Sequence, residues 1–145
     1  MRIDFKPGNM LYPVPVVMVS CADSEGRSDI VTVAWTGTIC TNPPMVYISL
    51  RPSRYSYDII KKSGEFVINL TNEKLVKIAD ECGVKSGRDI DKWKVLKIEQ
   101  LPSKVVAASS IKESPVCIEC KVEDIIELGS HHMISSTLHS MQVVD

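Results

Sequence analysis

Apolar and polar positions alternate along much of this chain in short runs, the period of strands rather than of helices. Residues 14–21 and 30–40 are rich in β-branched side chains and predict two strands, with Asp23-Ser24-Glu25-Gly26 as the turn between them. Asn42-Pro43-Pro44 breaks the second run, and residues 45–50 alternate as a third strand. Residues 53–62 predict a helix with Ser53 as its N-cap, Lys61 and Lys62 in its last turn and Gly64 as its stop. Residues 65–70 read as a short buried strand. Residues 73–82 place Leu75, Val76, Ile78 and Ala79 at helical spacing, ahead of Gly83. Residues 84–92 are a polar loop, residues 115–128 a long strand, and residues 131–144 a weaker last strand. Many short strands with only two helices argue for a mainly β barrel or sandwich. The β-α-β-α order in the middle leaves a small α/β alternative.

Composition narrows the classes. The 145 residues suit one domain, and no repeat or linker divides them. Lys and Arg number 17 against 18 Asp and Glu, which argues against a dedicated nucleic-acid binder and leaves no polybasic membrane patch. The first residues, MRIDFKPGNMLYPVPVVMVS, do not read as a signal peptide, because Asp4, Lys6 and three prolines interrupt them. No apolar run reaches the roughly 18 residues needed to span a bilayer. The reading is therefore cytoplasmic, with five reduced cysteines.

Three segments carry candidate chemistry. In SLRPSRYSYDII, Ser49 and Arg51 end a strand and a helix begins at once, bringing Ser53, Arg54 and Ser56 close to its free N–H groups. Cations, hydroxyls and amides at one helix start suit a phosphate monoester. The competing reading is a capped helix with two solvated arginines. In VTVAWTGT, a flat heteroaromatic ring could lie on the backbone of Thr32, Val33, Ala34, Trp35 and Thr36, with Trp35 flanking it; the alternative is a core Trp. In CGVKSGRDIDK, Ser86, Arg88 and Lys92 could fold over a ligand, or the loop could be a solvated connector.

Other motifs are weaker. There is no Gly-x-Gly-x-x-Gly, Walker A or Gly-x-Ser-x-Gly sequence. Cys117-Ile118-Glu119-Cys120 is formally a CxxC, but it sits in a strand, where residues three apart face opposite ways. No second ligand pair accompanies it, so no metal is assigned. His131-His132 cannot both meet one ligand from a strand, and His131 is kept as a candidate near a substrate face.

Taken in order, PVPVVMVSCAD, TVAWTGTICTNPPMVYISLRPSRYSYDII, GEFVINL, CGVKSGRDIDK and SPVCIECKV resemble the flavin reductase-like family, which includes the flavoredoxins. The resemblance implies a split β-barrel of Greek-key type and a homodimer with FMN near the subunit interface. It implies that Arg51, Ser53, Arg54 and Ser56 hold the FMN phosphate, with Ser49 also among the cofactor-binding residues. The backbone of residues 32–36 then faces the isoalloxazine edge, and Ser86, Arg88 and Lys92 form the covering loop. The implied activity is an oxidoreductase passing electrons through FMN from NAD(P)H or a redox protein. The alternative is a non-enzymatic FMN-binding electron carrier; a further one is a structural domain that has lost the cofactor. Against the family pattern, residues 1–145 read as a single domain shortened at its C-terminus.

Overall fold

The computed structural model describes residues 1–145 and is built on one antiparallel sheet of seven strands. The strands are β1 (Val17–Ala22), β2 (Ser28–Val33), β3 (Thr36–Cys40), β4 (Met45–Leu50), β5 (Glu65–Leu70), β8 (Val116–Glu127) and β9 (His132–Val143). A small hairpin, β6 (Gln100–Leu101) with β7 (Ser110–Ile111), stands apart. The helices are α1 (Tyr55–Ser63), α2 (Val76–Val84) and the short α3 (Lys92–Val95). Sheet order is β2-β1-β5-β8-β9-β4-β3, so β5 returns beside β1 and β9 beside β4.

This order forces the sheet to roll. β2 and β3 are its two edges, yet only Ala34 and Trp35 separate them along the chain. The edges must therefore meet at that corner, although they do not pair with each other. Ser49 N–H donates to the Trp35 carbonyl at 2.8 Å and ties the corner to β4. The result is a barrel that is split along one seam.

Inside it lies a core of 15 buried residues. Val17, Val19 and Cys21 of β1 point inward, and α1 plugs one end with Tyr57, Ile59 and Ile60. Each fully buried aliphatic side chain contributes about 1.5–3 kcal/mol. Met18 and Ile30 face the other way and pack under α2 and α3 with Leu75, Ala79, Cys82 and Trp93. Both faces of β1 are thus covered, which is why its sequence is apolar except for Ser20, whose buried hydroxyl donates to the Ser109 carbonyl at 2.7 Å.

Several sequence expectations shift. The run 30–40 is two strands, not one, because the barrel corner falls at Ala34-Trp35. Ser53 is not the N-cap of α1. The chain first turns at Pro52, with Arg54 N–H donating to the Arg51 carbonyl at 3.0 Å, so Arg54 takes the cap position without a side-chain cap. Gly64 does end α1, at φ 71°. Residues 73–75 form a 3₁₀ turn capped by Asn72 before α2 begins. α3 was not anticipated; Asp91 caps it by accepting from Lys94 N–H at 3.3 Å. The last strand, β9, is as long as β8 and pairs with it and with β4. Cys117 and Cys120 lie on opposite faces of β8, one packed with Val67 and Val106, the other in the main core.

Candidate functional site

A cleft of about 220 Å³ opens at the seam of the barrel. One wall is the outer edge of β2 and the corner beyond it: Val31, Thr32, Val33, Ala34 and Trp35. The other is the exit of β4 and the start of α1: Ser49, Leu50, Arg51 and Arg54. His131, at the start of the β9 hairpin arm, closes one side. The fold therefore brings together eight of the residues singled out from the sequence: Thr32, Val33, Ala34, Trp35, Ser49, Arg51, Arg54 and His131.

Backbone groups supply much of this surface. The Ile30 carbonyl points to the open side of β2, where it accepts from Lys92 Nζ at 2.5 Å. By strand alternation, Thr32 presents its own N–H and carbonyl to that same open side, one step nearer the cleft. The threonine hydroxyls are less free than the sequence suggested. Thr32 donates to the Ala79 carbonyl, and Thr36 to the Tyr47 carbonyl at 2.7 Å. Both protons are committed, so neither hydroxyl is a donor for a ligand. Thr36 itself lines a neighbouring cleft of about 420 Å³, formed with residues 8–15, Trp35 and Tyr47.

The two arginines differ. Arg54 Nη1 donates to the Gly83 carbonyl at 3.0 Å and Nη2 to the Cys82 carbonyl at 3.4 Å. These are end carbonyls of α2, where the helix dipole favours a cation. One edge of the Arg54 fork is engaged there while the residue still lines the cleft. Arg51 sits opposite His131 with no ion-pair partner, and its charge acts on that imidazole. Burial first, and then the Arg51 charge, hold the His131 pKa below its ordinary 6.5. The ring is therefore neutral at pH 7. It lies 4.4 Å from the Trp35 ring, and Ser130 Oγ meets its Nδ1 at 2.9 Å. Trp35 is 38% exposed, so it is not the core Trp that the alternative reading offered.

Besides Thr36, five of the singled-out residues lie off the cleft wall. Ser53 is exposed, and its carbonyl accepts from Arg88 Nη1 at 2.9 Å. Arg88 sits over the Tyr55 ring, 5.6 Å from its centroid, and Ser86 Oγ accepts from Arg88 N–H at 3.2 Å. The 85–91 loop is thus pinned to the start of α1, not a free connector. Ser56 is fully buried and donates to Asp29 Oδ2 at 2.6 Å, so it offers no hydroxyl to a phosphate. Lys92 corrects the sequence reading most sharply. It was expected as a cation on the covering loop; its side chain is wholly buried, and its ammonium meets the carbonyls of Ile30 and Cys82 and Asp29 Oδ1. Sequence reasoning missed Asp29 and Gly87, whose Cα packs against the Asp29 carboxylate and the Tyr55 ring. A lone Asp, the only charge in the strand run SDIVTV, matched to a Lys after a glycine-containing loop, was the available signal.

Residues 9–145 match the family model described as "Flavin reductase like domain". The chain belongs to the flavin reductase-like family. The domain superposes on the flavoredoxin of Desulfovibrio vulgaris (Miyazaki F) with a TM-score of 0.92 and 30% identity, over 100% of this chain and 78% of that one. It is 26% identical over 133 residues to a Pseudomonas putida protein named flavin reductase, covering 91% of this chain and 74% of that protein. It is 30% identical over 137 residues to an uncharacterized protein of Aeropyrum pernix, covering 94% of this chain and 52% of the relative. The chain thus spans about half the length of that relative. These likenesses establish the split-barrel fold and the family. No helix is long and apolar enough to cross a membrane.

Proposed function

We propose that this flavin reductase-like domain binds FMN in the seam cleft and passes electrons through it from NAD(P)H or a redox protein. The observation that carries the reading is the convergence of Arg51 and Arg54 on a cleft whose facing wall is the open edge of β2. A phosphate monoester needs charge and forked donors; a flat ring with a polar edge needs backbone groups in line. The cleft offers the first on one wall and the second on the other. The α1 start, which lacks a side-chain cap, adds amides on the phosphate side. FMN bound there would supply hydride or electron transfer, which no side chain of this domain supplies. Arg51 and Arg54 would hold the phosphate, the peptides of residues 32–36 the ring edge, and Trp35 with neutral His131 would flank it. Ser56 and Lys92 are not part of this set.

Two wider parts of the reading have their own support. Exposed Met10, Leu11 and Tyr12, which line the second cleft, support a homodimer of single-domain chains. Five free cysteines support a cytoplasmic setting.

The test is a flavin titration. FMN should bind more tightly than riboflavin by about ten- to a hundredfold, the worth of a charge-assisted phosphate contact. Arg51→Ala should narrow that gap, and anaerobic bleaching by NADH or NADPH separates a nucleotide donor from a protein donor. Equal affinity of the parent for the two flavins refutes the phosphate assignment.

A further inference from the structure

We infer that Lys92, with its counter-ion Asp29, is a positioning residue that sets the Arg54 guanidinium at the cleft through the Cys82 carbonyl. The inference rests on the FMN reading above. Lys92 cannot reach a ligand directly. Its side chain is fully buried; its ammonium donates to the Ile30 carbonyl at 2.5 Å and to the Cys82 carbonyl at 3.2 Å, and it lies 3.3 Å from Asp29 Oδ1 as an ion pair. The second of these is the decisive one. The Cys82 carbonyl also accepts from Arg54 Nη2 at 3.4 Å, so one oxygen joins the buried ammonium to the cleft cation.

The other half of the pair reaches the opposite flank. Asp29 Oδ2 accepts from Ser56 Oγ at 2.6 Å, in the first turn of α1. Arg54 stands immediately before that turn. The Lys92–Asp29 pair therefore grips both elements that flank Arg54, the end of α2 and the start of α1. It also satisfies the open edge of β2 at Ile30, one strand step below Thr32 on the cleft wall. A buried pair serving only the core needs none of this convergence, and apolar residues of similar volume would often serve as well.

The experiment compares the parent with Lys92→Met and with Asp29→Asn/Lys92→Met, each held well below its melting midpoint. The double variant leaves no unpaired buried charge, so it recovers stability lost by Lys92→Met alone. The FMN-over-riboflavin affinity ratio, read by fluorescence titration, should fall about tenfold in both variants. A ratio in the double variant within about twofold of the parent overturns the inference. Hydrogen exchange of the amides of residues 83–88, measured without flavin, reads the same placement. Faster exchange in the double variant supports it, and parent-like exchange overturns it. If neither variant folds, Asp29→Asn alone carries both readouts. The exchange arm keeps the two readings apart: a parent indifferent to the flavin phosphate refutes the FMN assignment, while exchange still decides on Lys92.

Discussion

Gly87→Ala is the sharpest probe of how the 85–91 loop is seated. A Cβ at Gly87 would lie 2.5 Å from Asp29 Oδ1, 2.5 Å from Tyr55 Cδ1 and 2.6 Å from Asp29 Cγ. Carbon contacts are comfortable at about 3.5–4.0 Å, so something must move by about 1 Å. The φ of Gly87 is not positive; the positive-φ glycines are Gly26 and Gly64. The cost is therefore steric, not conformational. Either the loop lifts, an overpacking cost of about 1–3 kcal/mol, or the carboxylate tilts away from Ser56 and Lys92, losing a charged hydrogen bond worth about 1.5–3 kcal/mol. The fitting control is Gly129→Ala, where nothing lies within 4 Å of the added Cβ. Both changes remove similar freedom from the unfolded chain, so that contribution cancels between them. Urea unfolding followed by circular dichroism should place Gly87→Ala about 2–3 kcal/mol below Gly129→Ala. In chains of this size that is about 4–12 °C in Tm. Gly83→Ala, with its Cβ 3.3 Å from Thr32 Cβ, should fall between them. Equal stability of the Gly87 and Gly129 variants would mean the loop does not rest on the buried carboxylate.

Two further predictions test other parts of the fold. Glu119 is fully buried without a cation partner, and its carboxylate accepts from the N–H groups of Lys104, Val105 and Val106 at 2.8, 2.6 and 3.1 Å; Glu119→Gln turns one oxygen into a donor facing a donor and should cost about 1–3 kcal/mol in urea unfolding, with no loss refuting the nest. His131 has its pKa lowered from 6.5 by burial and by Arg51, so the unfolded chain binds its proton more readily; stability from this group is complete above 6.5 and is lost as pH falls through the folded value, and His131→Gln should flatten that part of the curve of unfolding free energy against pH.

How much of this could be read from the sequence varies with the physics involved. The strands and the two longer helices were legible because alternation, prolines and Gly64 are local signals. The break at Ala34-Trp35 was not, because a barrel corner is set by which strands pair, and residues 30–40 are mostly β-branched and aromatic strand formers. That Arg51 and Arg54 stand together at the seam was legible because a strand exit followed by a helix start fixes where their backbones go. Ser56 and Lys92 were misplaced for one shared reason. A polar side chain in a polar-looking stretch reads as solvent-facing, and only the tertiary arrangement shows that both turn inward to Asp29. His131 lines the cleft, but its contact with Trp35 joins residues far apart in the chain and left no local signal.

The seam explains why the ring side of the proposed site carries so faint a sequence signature. An edge strand presents unpaired N–H and carbonyl groups, which proteins normally cover or blunt. Here β2 is such an edge, and its lower part is already satisfied at Ile30 by Lys92. The upper part, at Thr32 and the corner beyond, is the stretch that opens into the cleft. A planar ligand with donors and acceptors along one edge can complete that strand without any dedicated side chain. The requirement on residues 31–35 is then only that they form an edge and turn the corner, which many sequences meet. The phosphate side has no such backbone ladder beyond the first amides of α1, so it must be supplied by arginines at fixed positions. Substitutions along residues 31–35 that keep the strand should therefore disturb ligand binding far less than substitutions at Arg51 or Arg54.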